Sequence, residues 1–458
     1  MRQVAKIGVI GLHMFDCLLH STLIFGWSSI SVLLEKEGFY ADKSDSLARI
    51  LVISIGLYGI FLFLFGFIRD FVSYGFCRLL MYILLIVSYA MMLLAEPGKR
   101  DYLQYGWVLQ FAAGIGIFLN GMQFFGLFPA YAGTLTGMSN SLLALCSLIP
   151  QLWLSAVVSW QVISYRGLIL VWLIAAFVSL IMGMMFVPWH NMPQNIDSAT
   201  PPETFWSLGQ ILLVRRNKSH LTRKSDVTFS EQIKSSLALL KSPIFIVHVI
   251  MFTSVNCTPT LSLNFVNRIM RDSVGEEQFP KLQSQFELVR AVGGFFICPT
   301  IGLLSDKSMG YWQRWFQHGT HFDVQKTLVP FGFILVSTIV FIVGLLMIDS
   351  IGVWLFLIGL TLCIGQIYMF ETIGISVNFS VDSQGVIFAL VEGLGALFAF
   401  IQMPIIAMVE NTADHDEASR YMPFICFEFI MLALIILCLP ILLMIGITVD
   451  LNKRFKLH

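Results

Sequence analysis

The sequence predicts an all-α membrane protein of twelve transmembrane helices arranged as two six-helix bundles. Three observations predict it. Only 12% of the 458 residues are charged and 57% are hydrophobic, with 28 Lys and Arg balanced by 28 Asp and Glu. A soluble domain carries about 25% charged residues, so half that density leaves a chain of this size without a water-facing surface. Apolar runs of spanning length recur along the whole chain, and one long polar stretch divides them into two sets of equal number.

A helix needs about 20 mostly apolar residues to cross a bilayer. Runs of that length lie at 7–34, 47–68, 77–95, 105–127, 134–158 and 167–187, then at 243–266, 282–304, 327–348, 351–373, 385–409 and 422–447. The first follows a short basic start, Met1 to Lys6, and contains Asp16, which reads as a retained span rather than a cleaved signal. The exceptional connector is 188–242. It opens with Pro188, Pro193, Pro201 and Pro202 and then carries Arg215, Arg216, Lys218, Arg223, Lys224, Lys234 and Lys241. The expected organisation is an N-terminal bundle over 1–187, a cytoplasmic central loop over 188–242, a C-terminal bundle over 243–447 and a cytoplasmic tail over 448–458. With both termini in the cytosol, 17 of the 28 Lys and Arg fall on the cytoplasmic side, as the positive-inside rule requires.

Composition also excludes functions. A mean hydropathy of +0.80 is incompatible with a disordered chain or a soluble enzyme. A net charge of zero offers no basic excess to a nucleic acid. The eight cysteines are scattered singly within apolar runs, with no CxxC, no metal spacing and no disulfide framework, and read as small buried hydrophobes. There is no Walker A, dinucleotide-binding glycine fingerprint, HExxH or GxSxG. No catalytic residues, metal or cofactor are expected; the chain is not read as an enzyme, and nothing points to ATP or to a sodium site.

Two loop motifs recur at matching places. One reads Gly66-Phe-Ile-Arg-Asp70 and continues to Arg78; the other reads Gly302-Leu-Leu-Ser-Asp306-Lys307. In both, a glycine stands four residues before an aspartate at the end of an even-numbered span. The glycine permits close helix approach, and the aspartate can pair a cation or cap a helix. Repetition in both halves, with the six-plus-six organisation, resembles the gating motif and fold of the major facilitator superfamily, whose halves surround one central site.

A narrower resemblance rests on the first span, Asp16-Cys-Leu-Leu-His20 through Gly26-Trp27-Ser28-Ser29 to Gly38-Phe39-Tyr40, and on Asn120-Gly-Met-Gln123-Phe-Phe-Gly126, Ser242-Pro243 with His248, Gly385-Val-Ile-Phe388 and Gln402-Met-Pro404. These stretches resemble the sodium-independent large neutral amino acid facilitators, the solute carrier family 43-like branch, which also holds an equilibrative purine-nucleobase transporter. The resemblance implies a secondary, facilitative, sodium-independent uniporter of large neutral amino acids, working by alternating access in the plasma membrane. Its partners would be a small-molecule substrate and the lipid bilayer, with no obligate protein partner. The alternatives are a purine nucleobase as cargo, or a multi-pass sensor or scaffold that no longer transports.

Polar residues at membrane depth are costly and mark candidate sites. Asp16 shares a helical face with His13 and His20 and is a candidate for a substrate amine or a proton-sensitive gate. Small residues around Gly26, Trp27, Ser28 and Ser29 suggest a local unwinding whose backbone groups could meet a zwitterion. Arg290 could hold a carboxylate bidentately, or simply neutralise Glu287 three residues away. Asn120 and Gln123 share a face of the fourth span. Asn256 and Asn264 line the seventh around Pro259, which is expected to break that helix, and Gln366 lies in the tenth. In the superfamily the first, fourth, seventh and tenth spans line the central cavity, which makes these residues substrate-binding candidates. Glu371, Glu392 and Glu428 are unpaired in sequence and read as structural hydrogen-bonding groups.

Overall fold

A computed structural model describes residues 2–21, 23–40, 44–98, 102–127, 131–186, 241–315, 322–347, 350–378, 384–411 and 420–455. The central loop 188–242 lies outside these residues but for its last two, and so does the end of the C-terminal tail. Among the described residues, ten helices are long and apolar enough to cross a membrane, and a bent pair makes an eleventh.

The bent pair is the first span. Helix α1 (Arg2–Asp16) gives way to a π turn at Cys17–Ser21 and a 3-10 turn at Leu23–Gly26, and α2 (Trp27–Lys36) leaves at 40°. The unwinding therefore ends at Gly26, and Trp27 to Ser29 form the first turn of α2. Neighbouring helices satisfy carbonyls at the break. Gln110 Nε2 donates to His20 O at 2.8 Å, and Trp172 Nε1 donates to Leu19 O at 3.2 Å.

Helices α3 (Ser44–Phe71), α4 (Tyr74–Leu94), α5 (Tyr102–Gly121), α6 (Ala132–Cys146), α7 (Leu148–Leu154) and α8 (Tyr165–Phe186) complete the first half. Ser73 caps α4 by accepting the Phe76 N–H at 3.0 Å, which turns the chain sharply after the Gly66–Asp70 motif. Helices α6 and α7 meet at Ser147 and act as one span, within Gly133–Ser159.

The second half begins with α9, a helical stretch over Pro243–Trp315. Its 73 residues would extend about 110 Å at 1.5 Å per residue, against a hydrocarbon core of about 30 Å. Gly275 resolves the conflict: its φ of +76° and ψ of 165° are non-helical, and two helices meet there. Pro259 stays inside the helix, contrary to the expected break. The missing N–H at Pro259 is absorbed locally while hydroxyls bond backward along the helix, Thr260 Oγ1 donating to Asn256 O at 2.7 Å and Ser262 Oγ to Thr258 O at 2.6 Å. Helices α10 (Phe322–Met347), α11 (Ser350–Asn378), α12 (Gln384–Phe398), α13 (Gln402–Asn411) and α14 (Met422–Phe455) follow, α13 continuing α12 through a 3-10 turn.

Apolar side chains fill the core and also cover the outside. Leu170, Ile174, Phe177 and Ile181 form an exposed apolar stripe at helical spacing on α8, while Asp16, Arg78, Glu287, Arg290, Glu371 and Glu392 are all at most 2% exposed. That arrangement suits a lipid surround, where backbone groups are satisfied within helices and charges turn inward. Seven of the eight cysteines are buried and Cys426 is exposed.

Candidate functional site

Helices before the central loop pack most extensively on helices after it at two pairs, α3 with α12 and α6 with the second part of α9. Small residues set the spacing. A Cβ on Gly66 would lie 2.3 Å from Ala389 Cβ, and one on Gly302 would lie 2.2 Å from Gly133 O. At the same end of each pair an aspartate crosses to the other half. Asp70 Oδ2 accepts the Val386 N–H at 2.7 Å at the start of α12. Asp306 accepts the Gly133 N–H at 3.0 Å, the Thr134 N–H at 2.8 Å and the Thr134 hydroxyl at 2.7 Å at the start of α6. Arg69 Nε lies 3.2 Å from Asp70, and Lys307 is exposed. Arg78, expected in the loop motif, is instead buried in α4 and bonded elsewhere.

Its partner is Asp16. Arg78 Nη2 donates to Asp16 Oδ2 at 2.5 Å, and the Tyr82 hydroxyl donates to the same oxygen at 2.5 Å. Arg78 also bonds the hydroxyls of Tyr82 and Tyr74, each at 3.0 Å. The cluster neutralises Asp16 inside the first half. His20 faces Ser179 at 3.1 Å and Tyr89 at 3.4 Å, and His13 faces Ser139 at 3.3 Å, so both histidines are ordinary bonded core residues.

Towards the Gly275 end, groups from both halves converge on Ser28. Its hydroxyl donates to Glu287, which also takes Arg290 Nη2, and its carbonyl accepts Asn267 Nδ2 at 2.9 Å and Gln283 Nε2 at 3.1 Å. Ser29 donates to Gln151 at 2.8 Å. Arg290 Nε donates to Ser147 Oγ at 2.9 Å, and its guanidinium lies over the Phe286 ring at 5.0 Å. Arg290 is fully buried, yet its Nη1 has no hydrogen-bond partner among the described residues, and neither has Asn267 Oδ1. This junction thus holds an unpartnered cationic donor on Arg290 and an unpartnered acceptor on Asn267.

The remaining candidates divide. Asn256 Nδ2 donates to the Tyr58 hydroxyl of α3 at 3.4 Å and faces the other half. Asn264 bonds its own helix at Thr260 O, 3.2 Å, with Oδ1 unpartnered. Gln366 turns away from the centre to Ser337 at 2.9 Å. Trp27 packs edge-on against Trp107 and Phe111 within the first half, and Gly26 lies against Pro150. Asn120 lies 3.9 Å from Met81 Sδ and, with Gly66, Arg69, Leu119 and Phe388, lines a small open-sided cleft between the halves. The side chain of Gln123 lies outside the described residues. Residues that the sequence did not single out are Tyr58, Ser147, Gln151, Asn267 and Gln283. The i and i+4 spacing of Gln283 to Glu287 was a signal for one of them.

Among solved structures, the chain is similar to the human organic anion transporter MFSD10 (TETRAN), with a TM-score of 0.57, 13% identity, and 95% of this chain and 99% of that chain covered. It is also similar to a variant of the E. coli fucose:proton symporter FucP, with a TM-score of 0.51, 11% identity, and 95% and 99% covered. No family model and no curated protein matches the chain. At these identities the likeness is one of fold. Among the described residues the chain is all-α and multi-spanning, and its fold resembles that of major facilitator transporters, as its sequence suggested.

Proposed function

We propose that the chain is a secondary, sodium-independent transporter of large neutral amino acids, and not an enzyme. It works by alternating access between six-helix bundles at 1–187 and 243–447. Twelve crossings follow if the bent pair α1–α2 counts as one and α9 as two, divided at Gly275. The Asp70 and Asp306 contacts then form the cytoplasmic latch, with both termini in the cytosol and the plasma membrane as its place.

One observation carries the cargo assignment: Arg290, buried between the halves, keeps a free Nη1 donor while Asn267 keeps a free Oδ1 acceptor. A zwitterion supplies the complement of both. The similar human protein is described as an organic anion transporter, and a carboxylate is one kind of organic anion. A purine nucleobase is the second reading, because Asn256, Asn264 and Asn267 offer amide groups that suit an uncharged ring.

The test is uptake of radiolabelled leucine against adenine in cells expressing the chain, with and without sodium. Leucine uptake independent of sodium, lost in Arg290→Gln, supports the proposal. Adenine uptake that survives Arg290→Gln transfers the cargo to nucleobases. Surface expression with neither uptake overturns both and leaves a sensor or scaffold.

A further inference from the structure

One face of α9 carries more polar capacity than the junction at Ser28 uses. Asn256, Thr260, Asn264 and Asn267 follow one another at helical spacing and share one stripe of the helix. Both ends of the stripe touch the first half. Asn256 Nδ2 donates to the Tyr58 hydroxyl at 3.4 Å, and Asn267 Nδ2 donates to Ser28 O at 2.9 Å. Gln402, the first residue of α13, joins from the second half and is 0% exposed, its Nε2 donating to Thr260 Oγ1 at 2.8 Å.

Three amides on this stripe are half used, and all in the same sense. Asn267 gives its NH2 group to Ser28 O and, at 3.2 Å, to Ser31 Oγ. Asn264 gives its NH2 group to Thr260 O at 3.2 Å. Gln402 gives its own to Thr260 Oγ1 and, at 3.4 Å, to Cys257 O. Each NH2 group thus faces a backbone carbonyl, which only accepts, so the nitrogen end of every amide is fixed and its oxygen is left over. Asn267 Oδ1, Asn264 Oδ1 and Gln402 Oε1 are buried and have no hydrogen-bond partner among the described residues. The Thr260 hydroxyl does not serve Gln402 Oε1, because it donates to Asn256 O at 2.7 Å. A buried acceptor left unmet is costly, and three along one stripe call for donors from outside the protein.

Asn267 Oδ1 is the oxygen read as the partner of the cargo's ammonium. Asn264 lies about 4.5 Å further along the helix axis, and Thr260, which holds Gln402, about 10 Å. A side chain lying along the stripe from that head group reaches Asn264 Oδ1 and Gln402 Oε1. We propose that Asn264 and Gln402 form a side-chain subsite that selects, among neutral amino acids, those whose side chain donates an N–H or O–H. Glutamine and tyrosine carry such a donor; methionine and phenylalanine do not. The subsite rests on the head-group reading at Arg290 and Asn267. Its selectivity comes from the stranded oxygens: an apolar side chain covers them and gives them nothing, whereas a donor side chain meets them. A carboxylate side chain brings only further acceptors and is refused. An alkali cation is the other ligand that spare oxygens take, but the three groups are neutral amides with no carboxylate among them, which favours a neutral donor.

The test uses the purified full-length protein in nanodiscs. Its thermal midpoint is titrated with glutamine, methionine, tyrosine and phenylalanine, and dissociation constants are taken from the shifts. Glutamine and methionine are unbranched and close in length; tyrosine and phenylalanine differ by one hydroxyl. Wild type is expected to bind glutamine at least about tenfold tighter than methionine, and tyrosine at least about tenfold tighter than phenylalanine. Gln402→Met and Asn264→Leu keep the volume and remove the oxygen. Each is expected to bring both ratios within about twofold of one by weakening glutamine and tyrosine, with methionine and phenylalanine unchanged. Unchanged binding of the apolar pair shows that the variant is folded, and either variant decides the question if the other fails to fold. Ratios near one in wild type, or ratios that survive in a folded variant, overturn the proposal. A midpoint raised by sodium chloride over choline chloride and not so raised in the variants assigns the oxygens to a cation and also overturns it. If all four bind without preference and lose affinity in Arg290→Gln, the subsite falls and the head-group reading stands. If none of the four binds, the amino-acid reading falls and the subsite with it.

Discussion

The Asp70 carboxylate leaves the first half and accepts the backbone N–H of Val386 in the second at 2.7 Å. Asp306 returns the contact, taking two backbone N–H groups and one hydroxyl at the start of α6. Both use the orphan N–H groups and the positive end of a helix. A hydrogen bond to a charged group contributes about 1.5–3 kcal/mol. Between the halves Asp306→Ala removes three such bonds, whereas Asp70→Ala removes the one to Val386 and also the Arg69 ion pair. The thermal midpoint of the detergent-solubilised protein, followed by intrinsic fluorescence, should fall most for Asp306→Ala, less for Asp306→Asn and least for Asp70→Ala. Indistinguishable midpoints would mean that the crossings are decorative.

Glycines at the same seam make a second prediction. A side chain at Gly302 meets the Gly133 carbonyl, and one at Gly66 meets Ala389 and the Gly385 carbonyl, so backbone rather than a flexible side chain must yield. Overpacking costs about 1–3 kcal/mol, here spent on separating the halves. Gly302→Val and Gly66→Val should speed amide hydrogen exchange at 133–134 and 385–386 respectively, several-fold over wild type. Unchanged exchange at those amides would show that the seam absorbs the bulk elsewhere.

Spans were legible because long apolar runs need no tertiary knowledge. Side-chain direction was not. Helix α11 is apolar on almost every side, so no periodic signal told that Gln366 faces Ser337 while Glu371 is buried with no hydrogen-bond partner among the described residues. The neutralisation of Asp16 depends on Arg78 from another helix, and the motif had assigned that arginine to a loop. The sequence placed an unwinding near Gly26 from its small residues. The actual break, at Cys17–Ser21 and Leu23–Gly26, follows from which carbonyls Gln110 and Trp172 can reach. Tyr58 escaped notice because a tyrosine in an apolar run reads as packing until Asn256 is found opposite it.

Gly275 and Gly137 separate two reasons for a glycine. At Gly275 the backbone has φ +76° and a Cβ would meet nothing within 4 Å, so Gly275→Ala is penalised by conformation alone, about 1 kcal/mol. At Gly137 a Cβ would lie 2.4 Å from the Cys298 carbonyl, and Gly137→Ala must push α6 off α9. The midpoint should drop slightly for the first and by clearly more for the second. The reverse order would show that the bend at Gly275, rather than the α6–α9 contact, limits stability.

Arg290 and Glu287 allow stability and cargo to be separated. Removing one partner of a buried ion pair costs about 3–5 kcal/mol, because the other charge is stranded, whereas replacing both by apolar groups is often neutral. Arg290→Met leaves Glu287 with Ser28 as its remaining donor and should lower the midpoint and the yield of folded protein sharply. Glu287→Met leaves the guanidinium with only Ser147 and should do likewise. The double variant should recover much of the loss, giving a coupling of at least about 1 kcal/mol in a double-mutant cycle. Recovered stability returns no donor at Nη1. A folded double variant should therefore remain unable to take up leucine, because nothing is left to hold the carboxylate. Uptake restored along with stability would place Arg290 among the structural ion pairs and move the search for the carboxylate partner to another cation.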